Sequence, residues 1–417
     1  MFDKKIKSVK AIQVLDSRGN PTIKTAVSTR KYSASALAPS GASTGRYEAL
    51  ELRDNLKAFH GMGVFKAVNS VNTFLGPKII GKDVAEQKEI DDFMISMDGT
   101  ENKSKFGANA ILSVSLAVAR CASICLEKPL YECLGNKNIL PVPFCNIING
   151  GRHSEGDLKL QEFMIVPVKA KSFSESSQMV SEVYKTLKDN IEKKYGKHAA
   201  NVGDEGGFVP PINSADEAFE LILDAVEENG YEDSIRLALD AAASEFYSKK
   251  TQKYEVEKNK KLNRFQLVDY YSNLVKKYKL FSLEDPFDQD DFEGFQEIAS
   301  KLNIQIVGDD LLATNVNRIS LAVRERLCNC LLLKVNQVGT LSEALAAARL
   351  AIDSGWNVMV SHRSGETEDT FISDLAVGLG CGQIKLGAPC RGERTAKFNR
   401  LLEIENELGS KVVFGKS

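Results

Sequence analysis

Charge of a dominant sign, tryptophan and uninterrupted apolar stretches are all scarce in this chain. Lys and Arg total 54 against 56 Asp and Glu, a net charge of -2 over 417 residues. A chain so balanced lacks the basic excess expected of a nucleic-acid protein. The most apolar long segment, 108–127, carries Asn109, Ser113, Ser115 and Arg120. It reads as a buried helix of small residues, not a membrane span. The opening MFDKKIKSVK has charges but no apolar core behind them, so no secretory signal is expected and the expected location is cytoplasmic. The eight cysteines include no CxxC pair, which argues against a zinc site and for buried thiols in a reducing compartment. The glycine clusters GMG (61–63) and GLGCG (378–382) lack the context of a dinucleotide loop and read as turns.

What the chain does have is a beat. Six times an apolar, strand-like run ends at an ionisable residue, and helix-like sequence follows. The residues are Asp240, Glu284, Asp309, Lys334, His362 and Lys385. In a (β/α)8 barrel the C-terminal ends of the strands converge on one mouth, so these six residues would share one rim. Three carboxylates, two lysines and a histidine in one place call for a compensating partner. A divalent metal and an anionic substrate supply one.

Upstream the pattern differs. VKAIQVLD, SRGNP and TIKTAV read as two strands around a turn, PSGASTG (39–45) as a loop of small residues, and 47–135 as mostly helical. LPVPFCNIING (140–150) reads as an entering strand beside a linker. The expected organisation is an α/β chain: an α+β domain over 1–138, then a TIM-barrel domain over 139–417.

The site candidates follow from residue type and place. Asp240, Glu284 and Asp309 are hard oxygen donors at strand ends and suit Mg²⁺. Lys334 and Lys385 follow apolar runs, so their stems are buried. A lysine beside divalent cations favours its neutral form and becomes a usable base. Arg363 and Ser364 follow the seventh expected barrel strand, where such barrels often hold phosphate. His153 and His362 lie in loop contexts, while His60 and His198 have no other signal around them. Glu162 and Glu205 complete the set; Glu205 sits in the glycine-rich loop NVGDEGGF.

These residues and their order closely resemble the enolase family. The matching segments include LDSRGNPT (15–22), PSGASTG, EALELRD (48–54), NVGDEGGF (201–208), LEDPF (283–287), SHRSGETEDTFI (361–372) and QIKLGAPCRGER (383–394). The resemblance implies a modified barrel that opens ββαα before its βα repeats. It implies dehydration of 2-phosphoglycerate to phosphoenolpyruvate, with two Mg²⁺ per site, the second arriving with substrate. Carried over residue by residue, Lys334 is the base at C2, Glu205 the acid at C3 and Glu162 its partner. Asp240, Glu284 and Asp309 hold the first Mg²⁺, and Ser43 the second. Arg363 and Ser364 hold phosphate; Lys385, His153 and Gln161 contact substrate, with His362 beside them. Closure of the Ser43 and His153 loops is implied too.

A homodimer, or a higher oligomer of dimers, is implied as well. Here the pattern departs from the family: Ile12 and Lys24 stand where arginine and glutamate are usual. Glu403 replaces a common arginine, and Asn406 an acid. Other readings compete. A lactonising enzyme or racemase of the same superfamily would lack PSGASTG and SHRSG. A catalytically inactive enolase-like binding or moonlighting protein would have lost site residues, and none is missing.

Overall fold

The computed structural model describes residues 4–41, 45–135, 137–154 and 156–415. Its first sheet is an antiparallel meander of β1 (Ser8–Leu15), β2 (Pro21–Ser28) and β3 (Ser33–Leu37). The β1–β2 turn is built by Asp16, whose Oδ1 accepts the amides of Arg18 and Asn20, each at 2.8 Å. Helix α1 (Gln87–Asp98) ends at Gly99, whose φ of 68° gives the left-handed stop. Helix α2 (Ala108–Cys125) is the expected small-residue helix. It is a core helix lying against β2 and β3, with 89% of its apolar window buried.

The rest is a closed eight-stranded barrel. Its strands are β4 (Val142–Asn149), β5 (Glu162–Val166), β6 (Arg236–Asp240), β7 (Ser282–Glu284), β8 (Gln305–Gly308), β9 (Cys330–Leu333), β10 (Asn357–Ser361) and β11 (Gly382–Lys385). All neighbours run parallel except β5, which is antiparallel to both β4 and β6. Two helices, α3 (Phe173–Tyr195) and α4 (Ala215–Glu228), follow β5 in succession. The barrel therefore opens ββαα. Ser172 and Ser214 cap these helices by accepting the amides of Glu175 and Glu217. The longer helices that follow are α5 (Arg264–Tyr278), α6 (Phe292–Lys301), α7 (Val316–Glu325), α8 (Leu341–Asp353), α9 (Phe371–Leu379) and α10 (Gly392–Leu408). A three-stranded ribbon at Tyr247–Ser248, Lys253–Glu257 and Lys260–Leu262 interrupts the beat and was not expected from sequence.

Side chains alternate along each strand, and this positions the site. Phe144, Met164, Val166, Ala238, Val307, Cys330, Leu332 and Met359 form one cluster inside the barrel. Two residues onward along the parallel strands lie Asn146, Asp240, Asp309, Lys334 and Ser361, on the same face and nearer the C-terminal mouth. On the reversed strand β5 the count runs backward, from Met164 to Glu162. Glu162 begins its strand yet arrives at the same mouth, in register with Asp240, which is in register with Glu284.

Five cysteines are buried as expected, but Cys133 is exposed and Cys381 and Cys390 are half-buried. All eight are free thiols.

Candidate active site

One cavity at the barrel mouth is lined by His153, Gln161, Glu162, Glu205, Asp240, Lys334, Ser361, His362, Arg363, Ser364 and Lys385. All but Ser361 were expected from sequence. Glu284 and Asp309 lie outside this lining and join it through the two lysines. Ser43 lies outside the described residues.

Lys385 is the hub. Its Nζ lies 2.8 Å from Glu284 Oε1, 2.9 Å from Asp240 Oδ2 and 3.0 Å from Glu162 Oε2. Burial alone would lower its pKa, but the carboxylates around it push it well above the usual lysine value. Lys334 pairs with Asp309 at 2.5 Å. Burial lowers this lysine too, yet Asp309 raises it further, so the ammonium is favoured while the carboxylates alone surround it. The depressed lysine read from sequence belongs to a site that also holds divalent cations.

Negative charge is in excess here. Burial, then the neighbouring Asp240, raises Glu284 well above the carboxylate range. Burial and Asp309 push Asp310 up to about 8. Asp285, Asp309 and Asp310 bring carboxylate oxygens within 4.8 Å of one another. Glu284 Oε2 is buried and makes no hydrogen bond. An orphaned carboxylate oxygen among all-oxygen donors of excess negative charge fits a hard divalent cation.

His153, Glu162 and Glu205 form the other wall, their ligand atoms likewise within 4.8 Å. Burial, then Glu205, raises Glu162 well above its ordinary value. Burial opposes ionisation of Glu205 as well, but the polar groups facing it hold it low. Two carboxyls this close share one proton, and it rests on Glu162. Burial lowers both histidines, His362 to about 4, so both rings are neutral near pH 7. His153 Nδ1, Gln161 Oε1 and His362 Nε2 are buried without hydrogen bonds, a concentration of unmet polar atoms typical of a binding site.

The third wall joins the first sheet to the barrel. Arg363 donates to both oxygens of Glu48, at 2.9 and 3.2 Å, and to Asn336 Oδ1 at 2.9 Å. Gly365 and Ser40 exchange backbone hydrogen bonds at 2.9 and 2.8 Å. A Cβ on Gly365 would stand 2.3 Å from Arg18 Nη2 and 2.7 Å from Ser40 O, so the close approach requires glycine.

Sequence reading missed three residues here. Glu48 is the partner of Arg363. Asp285, at φ 39°, accepts the amides of Asp309 and Asp310 at 3.0 and 2.7 Å. Arg394 backs His362. Each lies inside a segment that carries the resemblance (EALELRD, LEDPF and QIKLGAPCRGER), but none was read as a site residue.

Comparison with known proteins agrees along nearly the whole chain. Residues 6–134 match the model of the enolase N-terminal domain, and 137–417 that of the enolase C-terminal TIM barrel domain. The chain belongs to the enolase family. Curated enolases include one from Methanocaldococcus jannaschii, 56% identical over 99% of this chain and 97% of its own length. One from Thermococcus gammatolerans is 54% identical over 98% and 96%. One from Methanococcus vannielii is 53% identical over 99% and 97%. Enolase activity, that of a lyase, follows for this chain.

Proposed function

We propose that the chain interconverts 2-phosphoglycerate and phosphoenolpyruvate at this mouth, with the roles that follow. The observation carrying the reading is one cavity that brings together the half-buried Lys334, a proton-sharing carboxyl pair and the Arg363–Ser364 corner. Lys334 Nζ, as the free amine, takes the C2 proton. Glu205 donates a proton to the C3 hydroxyl, which leaves as water, and Glu162 beside it is the proton's reservoir. Arg363 and Ser364 hold the phosphate. Lys385, His153 and Gln161 orient the substrate, and His362 buttresses Glu205.

Asp240, Glu284 and Asp309 would hold Mg²⁺, and Ser43 a second ion. When bound, the ions supply positive charge against a carboxylate whose charge doubles as the C2 proton leaves. The test follows phosphoenolpyruvate by its ultraviolet absorbance, with Mg²⁺, with EDTA and in Lys334→Ala. Metal-dependent turnover lost in the variant supports the reading. Absence of turnover in folded protein with Mg²⁺ overturns it. No feature of the site favours the inactive alternative.

The reading extends to a cytoplasmic homodimer. Ile12 is exposed and in register with Lys24 on β2; Glu403 and Asn406 are exposed on α10. Lys24 of one copy would meet Glu403 of another, reversing the signs common in the family. Lys24→Glu then weakens the dimer and added Glu403→Lys restores it. Unchanged sedimentation in both variants would end the idea.

A further inference from the structure

Arg394 stands in the first turn of α10 and is completely buried. Both facts are unfavourable: a cation there faces the positive end of the helix dipole, and a buried guanidinium needs partners. Its nearest carboxylate, Glu393, is 3.6 Å away. Nε makes no hydrogen bond, and the two terminal nitrogens donate elsewhere. Nη1 lies 2.7 Å from His362 Nδ1 and 2.5 Å from the carbonyl of Arg363. Nη2 lies 2.6 Å from the carbonyl of Ser364 and 3.0 Å from that of Asp204.

A guanidinium can only donate. His362 Nδ1 must therefore accept, and the ring proton sits on Nε2, 3.3 Å from Glu205 Oε2. The carbonyls that Arg394 binds belong to two separate segments: the phosphate corner at 363–364, and the residue just before Glu205. One turn further along α10, buried Lys397 donates to Glu366 Oε2 at 2.7 Å, and Glu366 Oε1 accepts the Arg363 amide at 3.1 Å. The same helix thus braces the phosphate corner twice.

We propose that Arg394 is a positioning residue: it fixes His362 in the Nε2–H form and ties the Glu205 loop to the Arg363–Ser364 loop, so proton donor and phosphate cradle hold one geometry. The proposal rests on the roles given above to Glu205 and the phosphate corner. It adds a residue that touches no substrate yet sets where both stand.

The first test needs no change to Arg394. Histidine labelled with ¹⁵N is introduced into the full chain, and His362 is assigned by its loss in His362→Gln. A neutral ring protonated on Nε2 is expected. A ring protonated on Nδ1, or on both nitrogens near pH 7, would overturn the proposal whatever the protein catalyses. The second test is Arg394→Lys, whose single ammonium cannot span four acceptors. It is expected to mix the two ring forms and lower kcat per folded molecule by about a hundredfold, the scale of small misplacement in an active site. A lower melting temperature with the ring form and kcat unchanged would reduce Arg394 to a structural brace. Because the ring measurement does not depend on turnover, failure of the proposal and failure of the enolase roles remain distinguishable.

Discussion

At the N-terminal end of the barrel, Gln305 and Gln383 donate to each other at 3.0 Å, while Ser282 and Asn357 engage the remaining groups of Gln305 at 3.2 and 2.7 Å. At the opposite end, Lys385 faces three carboxylates and Glu284 keeps an oxygen with no hydrogen bond. On β8 and β10 the cluster's Val307 and Met359 lie between the two layers, while on β11 Gln383 and Lys385 stand two residues apart on one face. The lower layer is neutral and closed: each polar group meets another. The upper layer is charged and open, and it satisfies itself only when something else arrives. A fold can thus carry polar residues inside a barrel for two reasons, and what distinguishes them is whether the network is complete.

The contrast can be broken by experiment. Lys385→Met should have the largest effect, leaving three buried carboxylates without their cation. A loss of about 3–5 kcal/mol is expected in urea unfolding with EDTA present, as for other buried pairs stripped of one partner, together with loss of turnover. Added Mg²⁺ should recover part of that stability but not the activity. Gly365→Ala comes next, since its methyl group must push Arg18 and Ser40 away from the phosphate corner. Turnover should fall by about tenfold to a hundredfold, with a smaller change in melting temperature.

Gln383→Met probes the lower layer. It should cost about 1–3 kcal/mol, because Gln305 loses one partner, and leave kcat unchanged. If it costs as much as Lys385→Met, or slows the enzyme, the two layers are not independent. A further effect concerns pH. His362 titrates at about 4 in the folded chain but near 6.5 when unfolded. The unfolded chain therefore takes up a proton that the folded one refuses, and stability falls as pH drops from about 6.5 to about 4. The melting temperatures of the native chain and His362→Gln should converge over that window. A constant gap would mean that the ring is already charged or not buried.

How much of this was legible in the sequence depended on direction along the chain. Asp240, Glu284, Asp309, Lys334, His362 and Lys385 could be read because each closes an apolar run, and parallel strands deliver such residues to one mouth. Glu162 opens its strand, so the same rule passes over it; it entered the candidate set without a strand-end reason, and the resemblance supplied its role. Glu48, Asp285 and Arg394 escaped because their roles are tertiary. Nothing in EALELRD shows that Glu48 will grip an arginine from β10's loop. Nothing in CRGER shows that an arginine at a helix start will be buried against a histidine. The ribbon over 247–262 was missed because its strands are short and polar.

The junction of the first sheet with the phosphate corner has a consequence in time. Ser17 and Ser364 are 347 residues apart in the chain, and Glu48 and Arg363 are 315 apart. Contacts of such separation are slow to form, since much of the chain must be ordered before they can close. A refolding enzyme should therefore recover its helices, and even its barrel, before it recovers turnover. The return of activity, measured against circular dichroism, would be a clock for the last long-range seam to close.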